Sequence, residues 1–182
     1  MDSGTWRQQL LPSSPYFEKT MASIASNIHA IIVGMDEYED LDISFERAIK
    51  DANAMHDFLI KIGVDEKNII TFENAKSTTK REIMKQIASL KEKANRGDPI
   101  IFYYSGYVGM TYVGKRLAGM ICPYDVASKE GGISDTALVH MFDELAPFCG
   151  NNIVSLVILI EAYFHRSAVC IPRLPDPEIW FR

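Results

Sequence analysis

Apolar and polar positions along this chain follow two rhythms, and each rhythm predicts an element. His29-Ala-Ile-Ile-Val33 is a continuous run closed by Gly34, the pattern of a strand covered on both faces in a parallel sheet. From about Phe45 to Ile62 the apolar positions Ala48, Ala52, Met55, Leu59 and Ile62 recur at three and four, which predicts an amphipathic helix. Gly63 stands where a glycine ends such a helix. A short second strand is expected over Asn68–Phe72. Ser77, Thr78 and Thr79 offer caps to a helix carrying Ile83, Ile87 and Leu90 and ending near Gly97. Pro99–Tyr104 reads as a third strand stopped by Ser105-Gly106. The glycine-punctuated stretch from Met110 to Ile121 predicts a small hairpin. A helix from about Ser134 to Leu145 shows Leu138, Met141, Phe142 and Leu145 on one face, and Asn152–Ile160 is the most apolar strand.

Strands alternating with helices predict a mostly parallel sheet with right-handed crossovers and helices on both faces, a three-layer α/β architecture. In such sheets function gathers at the carboxyl ends of the strands. Those ends are Gly34 to Asp40, Ser105 to Gly109 and Glu161 to His165. The 182 residues fit one domain. Residues 1–27 carry Ser, Pro, Gln and Thr without apolar periodicity and read as a loose N-terminal arm, with Met21 an alternative start. The domain proper spans 28–166, and 167–182 is a proline-rich tail.

Composition narrows the function classes. A net charge of −5 argues against nucleic acid or an anionic membrane as main partner. No apolar run approaches the roughly 20 residues that span a bilayer, and the start shows no signal-peptide core. The three cysteines, Cys122, Cys149 and Cys170, are odd in number and form no CxxC pair, so they read as reduced thiols in a cytoplasmic or nuclear setting. His29, His56, His140 and His165 make no zinc-binding pair. The acidic loop Asp36 to Asp40 offers oxygens to a divalent cation but reads better as a solvated loop. The third strand ends in Ser105 with no phospho-accepting aspartate, and no phosphate-binding glycine motif occurs. No metal or cofactor is expected.

Six segments, taken in order, resemble the caspase/metacaspase family of cysteine peptidases over roughly residues 28 to 166. HAIIVGMDEY is similar to the family's first strand and loop, and RAIKDANAMHDFL to its next helix. FYYSGYVG resembles the third strand and its SGHG turn. ICPYDV and GGISDTAL match downstream elements, and VILIEAYFHRS stands where the family has LILDSCHSG. The resemblance implies a three-layer caspase-like fold, its large-subunit part only, because the family's chains continue past the cysteine with further strands. It also implies peptide-bond cleavage by a cysteine thiolate beside an imidazole.

The resemblance breaks at the dyad it implies. The histidine position is Tyr107, the glycine after it is Val108, and the cysteine position is Tyr163. A phenol titrating near 10 stands where the chemistry needs an imidazole near 6.5 and a readily ionised thiol. No catalytic residue is therefore expected. In the metacaspase branch two acidic positions line a pocket for Arg or Lys; the matching residues, Asp51 and Glu161, are still acidic, although Asp51 also reads as an ordinary solvated helix residue.

The resulting expectation is a catalytically inactive pseudopeptidase that works as a protein-interaction or regulatory module in cell-death or stress signalling. Its partner would be a protein or peptide, an active caspase-like relative, or a second copy paired along the edge strand Ile153–Ile160. Two alternatives stand beside it. One is an active cysteine peptidase with an unrecognised nucleophile, for which Cys170 and His165 are the neighbours to consider, or one completed by another chain. The other is a truncated fragment without independent function.

Overall fold

The structure, a computed structural model, describes residues 25–39, 47–72, 74–129 and 131–149, together with the backbone of Ile153–Leu159. Ten elements follow in order: β1 (His29–Gly34), α1 (Ala48–Lys61), β2 (Ile69–Thr71), α2 (Lys80–Lys93), β3 (Ile100–Gly106), β4 (Val108–Val113), β5 (Arg116–Ile121), β6 (Ile133–Ser134), α3 (Asp135–Cys149) and β7 (Ile153–Leu159). The main sheet has the order β2-β1-β3-β7, and every neighbouring pair is parallel. A second sheet, β4-β5-β6, is antiparallel.

The apolar run of β1 is buried on both faces, as its lack of alternation requires: Ala30, Ile31, Ile32 and Val33 are all inaccessible. Alternate residues point to opposite faces. One face collects Ala30, Ile32 and Tyr103 with Ala52 and Leu59 of α1. The other collects Ile31, Val33, Phe102 and Tyr104 with Ile83, Ile87 and Leu90 of α2, Leu138 and Leu145 of α3, and the base of the hairpin. These two clusters make the three layers that the sequence predicts.

Two devices place α1 at the carboxyl end of β1. Gly34 lets the helix touch the strand, since a Cβ there would lie 2.6 Å from the Ala52 Cβ and 2.9 Å from the Ala48 carbonyl oxygen. Asp36 then caps the helix from the loop: Oδ1 accepts the Ala48 N–H at 2.8 Å, with longer bonds of 3.4 Å from Ile49. A cap of this kind contributes about 1 kcal/mol, helped by the positive end of the helix dipole. The first acid of the loop is thus a structural cap rather than a solvated residue, and Asp40 lies outside the described residues.

Boundaries differ from expectation where tertiary contacts act. Helix α2 stops at Lys93 rather than near Gly97, because Ala94 is extended and Asp98 Oδ2 binds the Asn95 N–H at 2.7 Å. Helix α3 runs past Leu145 to Cys149 despite Pro147 in its last turn. Burial of Cys149 and a 2.8 Å bond from the Gly97 N–H to its carbonyl hold that turn in place. The hairpin is wider than Met110–Ile121, starting at Val108.

Candidate functional site

The carboxyl ends of β1, β3 and β7 meet at one end of the sheet. Gly34 pairs with Ser105, and Gly106 with Leu159. Tyr107 follows directly, in the single residue that separates β3 from β4. Glu161 and Tyr163 lie outside the described residues, as do His165 and Cys170. What can be built from geometry is therefore the β3 side of the site.

Tyr107 is only 4% exposed and belongs to the larger core cluster. Its backbone is held from three directions. The N–H donates to the Tyr38 hydroxyl at 2.6 Å, while the Cys122 N–H and the Tyr104 hydroxyl donate to its carbonyl at 3.1 Å and 2.8 Å. The Tyr38 hydroxyl in turn donates to the Met35 carbonyl at 3.3 Å. The rings of Tyr38 and Tyr107 meet edge to face, centroids 6.3 Å apart at 72°, a favoured aromatic arrangement. Gly106 permits this packing: a Cβ there would sit 2.8 Å from the Tyr104 hydroxyl and 2.9 Å from that of Tyr38.

The Tyr104 hydroxyl is also 2.8 Å from the Cys122 carbonyl, so its one proton is shared between two acceptors. Burial first, and then the neighbouring Tyr38 and Cys122, raise this phenol well above 10. It remains a proton donor at any ordinary pH and serves as a brace between β3 and the hairpin.

The segment Cys122-Pro-Tyr-Asp125 ties the site together. The Tyr124 carbonyl accepts the Glu39 N–H at 2.8 Å, its N–H donates to Thr78 at 3.0 Å, and Asp125 Oδ1 accepts the Lys80 N–H at 2.8 Å. One short turn thereby fixes the β1 loop, the start of α2 and the end of β3.

On the opposite face, the half-buried Asp51 stands in the first turn of α1. The buried Tyr103 phenol is raised by desolvation and next by the Asp51 carboxylate, with the Ser105 hydroxyl acting the other way. These three residues therefore share one polar patch at the end of β3. Ser105 Oγ is fully buried and approaches Tyr103 without the geometry of a hydrogen bond to any described group. Sequence reasoning passed over Ser105 as a strand stop. The signal was available: a hydroxyl two residues after Tyr103 in the same strand must face the same side as Tyr103.

The described histidines do not gather here. His29 opens β1 at the other end of the sheet, buried and 3.5 Å from Asp98. His56 is half-buried on α1 beside Asp57, and His140 is exposed on α3. Cys122 and Cys149 are buried and in no disulfide, and burial pushes the Cys149 thiol up, with Asp98 adding to the rise. Among the described residues no group of three or more metal-ligating side chains occurs, and no helix is long and apolar enough to cross a membrane.

Comparison with known proteins bears on the origin of this arrangement. The sequence profile of the metacaspase, peptidase C14 domain matches residues 29–162. None of the curated proteins compared matches the chain. Among solved structures, the crystal structure of protein GSU0716 from Geobacter sulfurreducens superposes with a TM-score of 0.57 at 17% identity, over 72% of this chain and 48% of that one. The chain thus spans about half the length of that protein, and the likeness is one of fold.

Proposed function

Since this chain belongs to the metacaspase family of the C14 peptidases, and tyrosine stands at both positions the resemblance assigns to the dyad, we propose that it is a pseudopeptidase working as a protein-interaction module. The observation that carries the reading is Tyr107. Its ring is packed into the core and its backbone is held at both N–H and carbonyl. An imidazole in a peptidase must instead face the scissile bond with a lone pair available.

What the module holds follows from the polar patch on the α1 face. The half-buried Asp51 carboxylate suits a guanidinium or ammonium group, with Glu161 the second carboxylate that the family pattern adds, while Tyr103 and Ser105 are buried and do not reach a ligand. Titration with short peptides ending in Arg, Lys or norleucine tests this. Basic peptides should bind more tightly than norleucine, and Asp51→Asn should weaken them about tenfold, the loss of one charge-assisted hydrogen bond of about 1.5 kcal/mol. Equal binding of all three peptides, or indifference to Asp51→Asn, would remove the pocket from the proposal.

The protein partner is proposed to pair along β7. In the described sheet this strand stands at the end of the order β2-β1-β3-β7, and a seven-residue edge is a template for a further strand. A caspase-like relative or a second copy would fit it. Sedimentation at rising concentration, read with hydrogen exchange over Ile153–Leu159, should show association accompanied by new protection. A chain that stays monomeric with that strand already protected would sink the edge-pairing idea.

A further inference from the structure

The hairpin β4–β5 carries a surface that the peptidase-like site does not use. Gly114, at φ +64, and Lys115 form its two-residue turn, the geometry that suits the twist of a hairpin. Cross-strand pairs Val108–Ile121, Met110–Gly119 and Tyr112–Leu117 share one face. That face is apolar along its length. It is buried at the Ile121 end and becomes open towards the turn, where Tyr112 is 44% and Leu117 38% exposed. At its middle, a Cβ on Gly119 would meet nothing within 4 Å, so the ribbon has a notch flanked by Met110 and Leu117. Beyond the strip lie two exposed cations, Lys115 and Arg116, neither with an ion-pair partner among the described residues.

This order, two cations and then an apolar strip with a notch, has a complement in the same chain. Residues 176 to 181 read Asp-Pro-Glu-Ile-Trp-Phe, two acids followed by three large apolar side chains. We infer that this C-terminal segment docks on the β4–β5 ribbon, its acidic end from Asp176 to Glu178 towards the cationic turn at Lys115 and Arg116, with Trp180 over Gly119. The spacings agree: Lys115 to Gly119 and Asp176 to Trp180 each span four residues, about 14 Å in extended chain. Reach is ample, since the 17 residues from Leu159 to Asp176 cover up to about 56 Å. The strip starts at Val108, next to Tyr107, so a docked tail would lie beside the mouth of the site and compete with whatever binds there. This inference does not depend on the pseudopeptidase reading.

Only Trp6 and Trp180 absorb as indoles, so the full-length Trp6→Phe variant reports on Trp180 alone. A docked tail gives blue-shifted emission and weak iodide quenching. Lys115→Glu/Arg116→Glu should shift the emission to the red and raise quenching severalfold. Adding Asp176→Lys/Glu178→Lys should restore both, a rescue that damage to the fold would not produce. Water-like emission in the parent, or burial of Trp180 that ignores the charge reversal, would overturn the inference. Emission that reddens on dilution would also overturn it, because the tail would then be docking on another copy.

Discussion

Fluorogenic peptides carrying Arg, Lys or Asp before the scissile bond are expected to release no fluorophore with this chain above the buffer rate, with or without calcium. The deficit should be about a millionfold against an intact dyad, the cost of losing a nucleophile or its base in a comparable hydrolase. The reason is protonic. A neutral phenol has no basic lone pair to take a thiol proton, and with an ordinary value near 10 only about 0.3% of phenols ionise at pH 7.5. Tyr107 is moreover packed in the core with its main chain tied to Tyr38, Tyr104 and Cys122. Raising the pH should not produce a rate maximum in the neutral range. Tyr107→His alone should stay inactive, because no thiol is supplied; Tyr107→His/Tyr163→Cys, checked for intact folding by circular dichroism, asks whether the groove survives. Turnover by the wild type that a thiol-blocking reagent abolishes would overturn the pseudopeptidase reading and turn attention to Cys170.

Phe102→Ala is expected to destabilise the chain by about 3–5 kcal/mol, the range for removing a fully buried phenyl ring from a core that cannot collapse around the gap. Phe102 lies in the middle of β3, flanked by β1 and β7, is inaccessible to solvent and sits 5.7 Å from the Phe142 ring. At this chain length the melting midpoint should fall by roughly 10 °C. The contrast is Phe58→Ala on α1, where the ring is 53% exposed and the change should stay within about 0.5 kcal/mol. Thermal unfolding of the two variants side by side decides the matter. Equal losses would mean that the two faces of the sheet are wrongly divided between core and surface.

The elements and their order were written in local pattern, because burial leaves a periodic mark on sequence. The uninterrupted β-branched run of β1 could only be a strand covered on both sides. The Ile83, Ile87 and Leu90 spacing could only be one stripe of a helix, and all three are buried in the structure. The six ordered motifs carried the resemblance, and the tyrosines at 107 and 163 were visible without coordinates. Interactions between distant segments leave no such periodic mark. Only the folded chain joins Asp36 to the start of α1, Asp125 to the start of α2, and the hydroxyl of Tyr104 to carbonyls 3 and 18 residues away. It alone brings Ser105 and Asp51 around Tyr103, and makes Tyr107, which the resemblance places at the family's histidine position, a packed member of the core. A helix or strand is encoded by its own residues; a cap, a shared proton or a polar patch is encoded by whichever residues the fold makes neighbours.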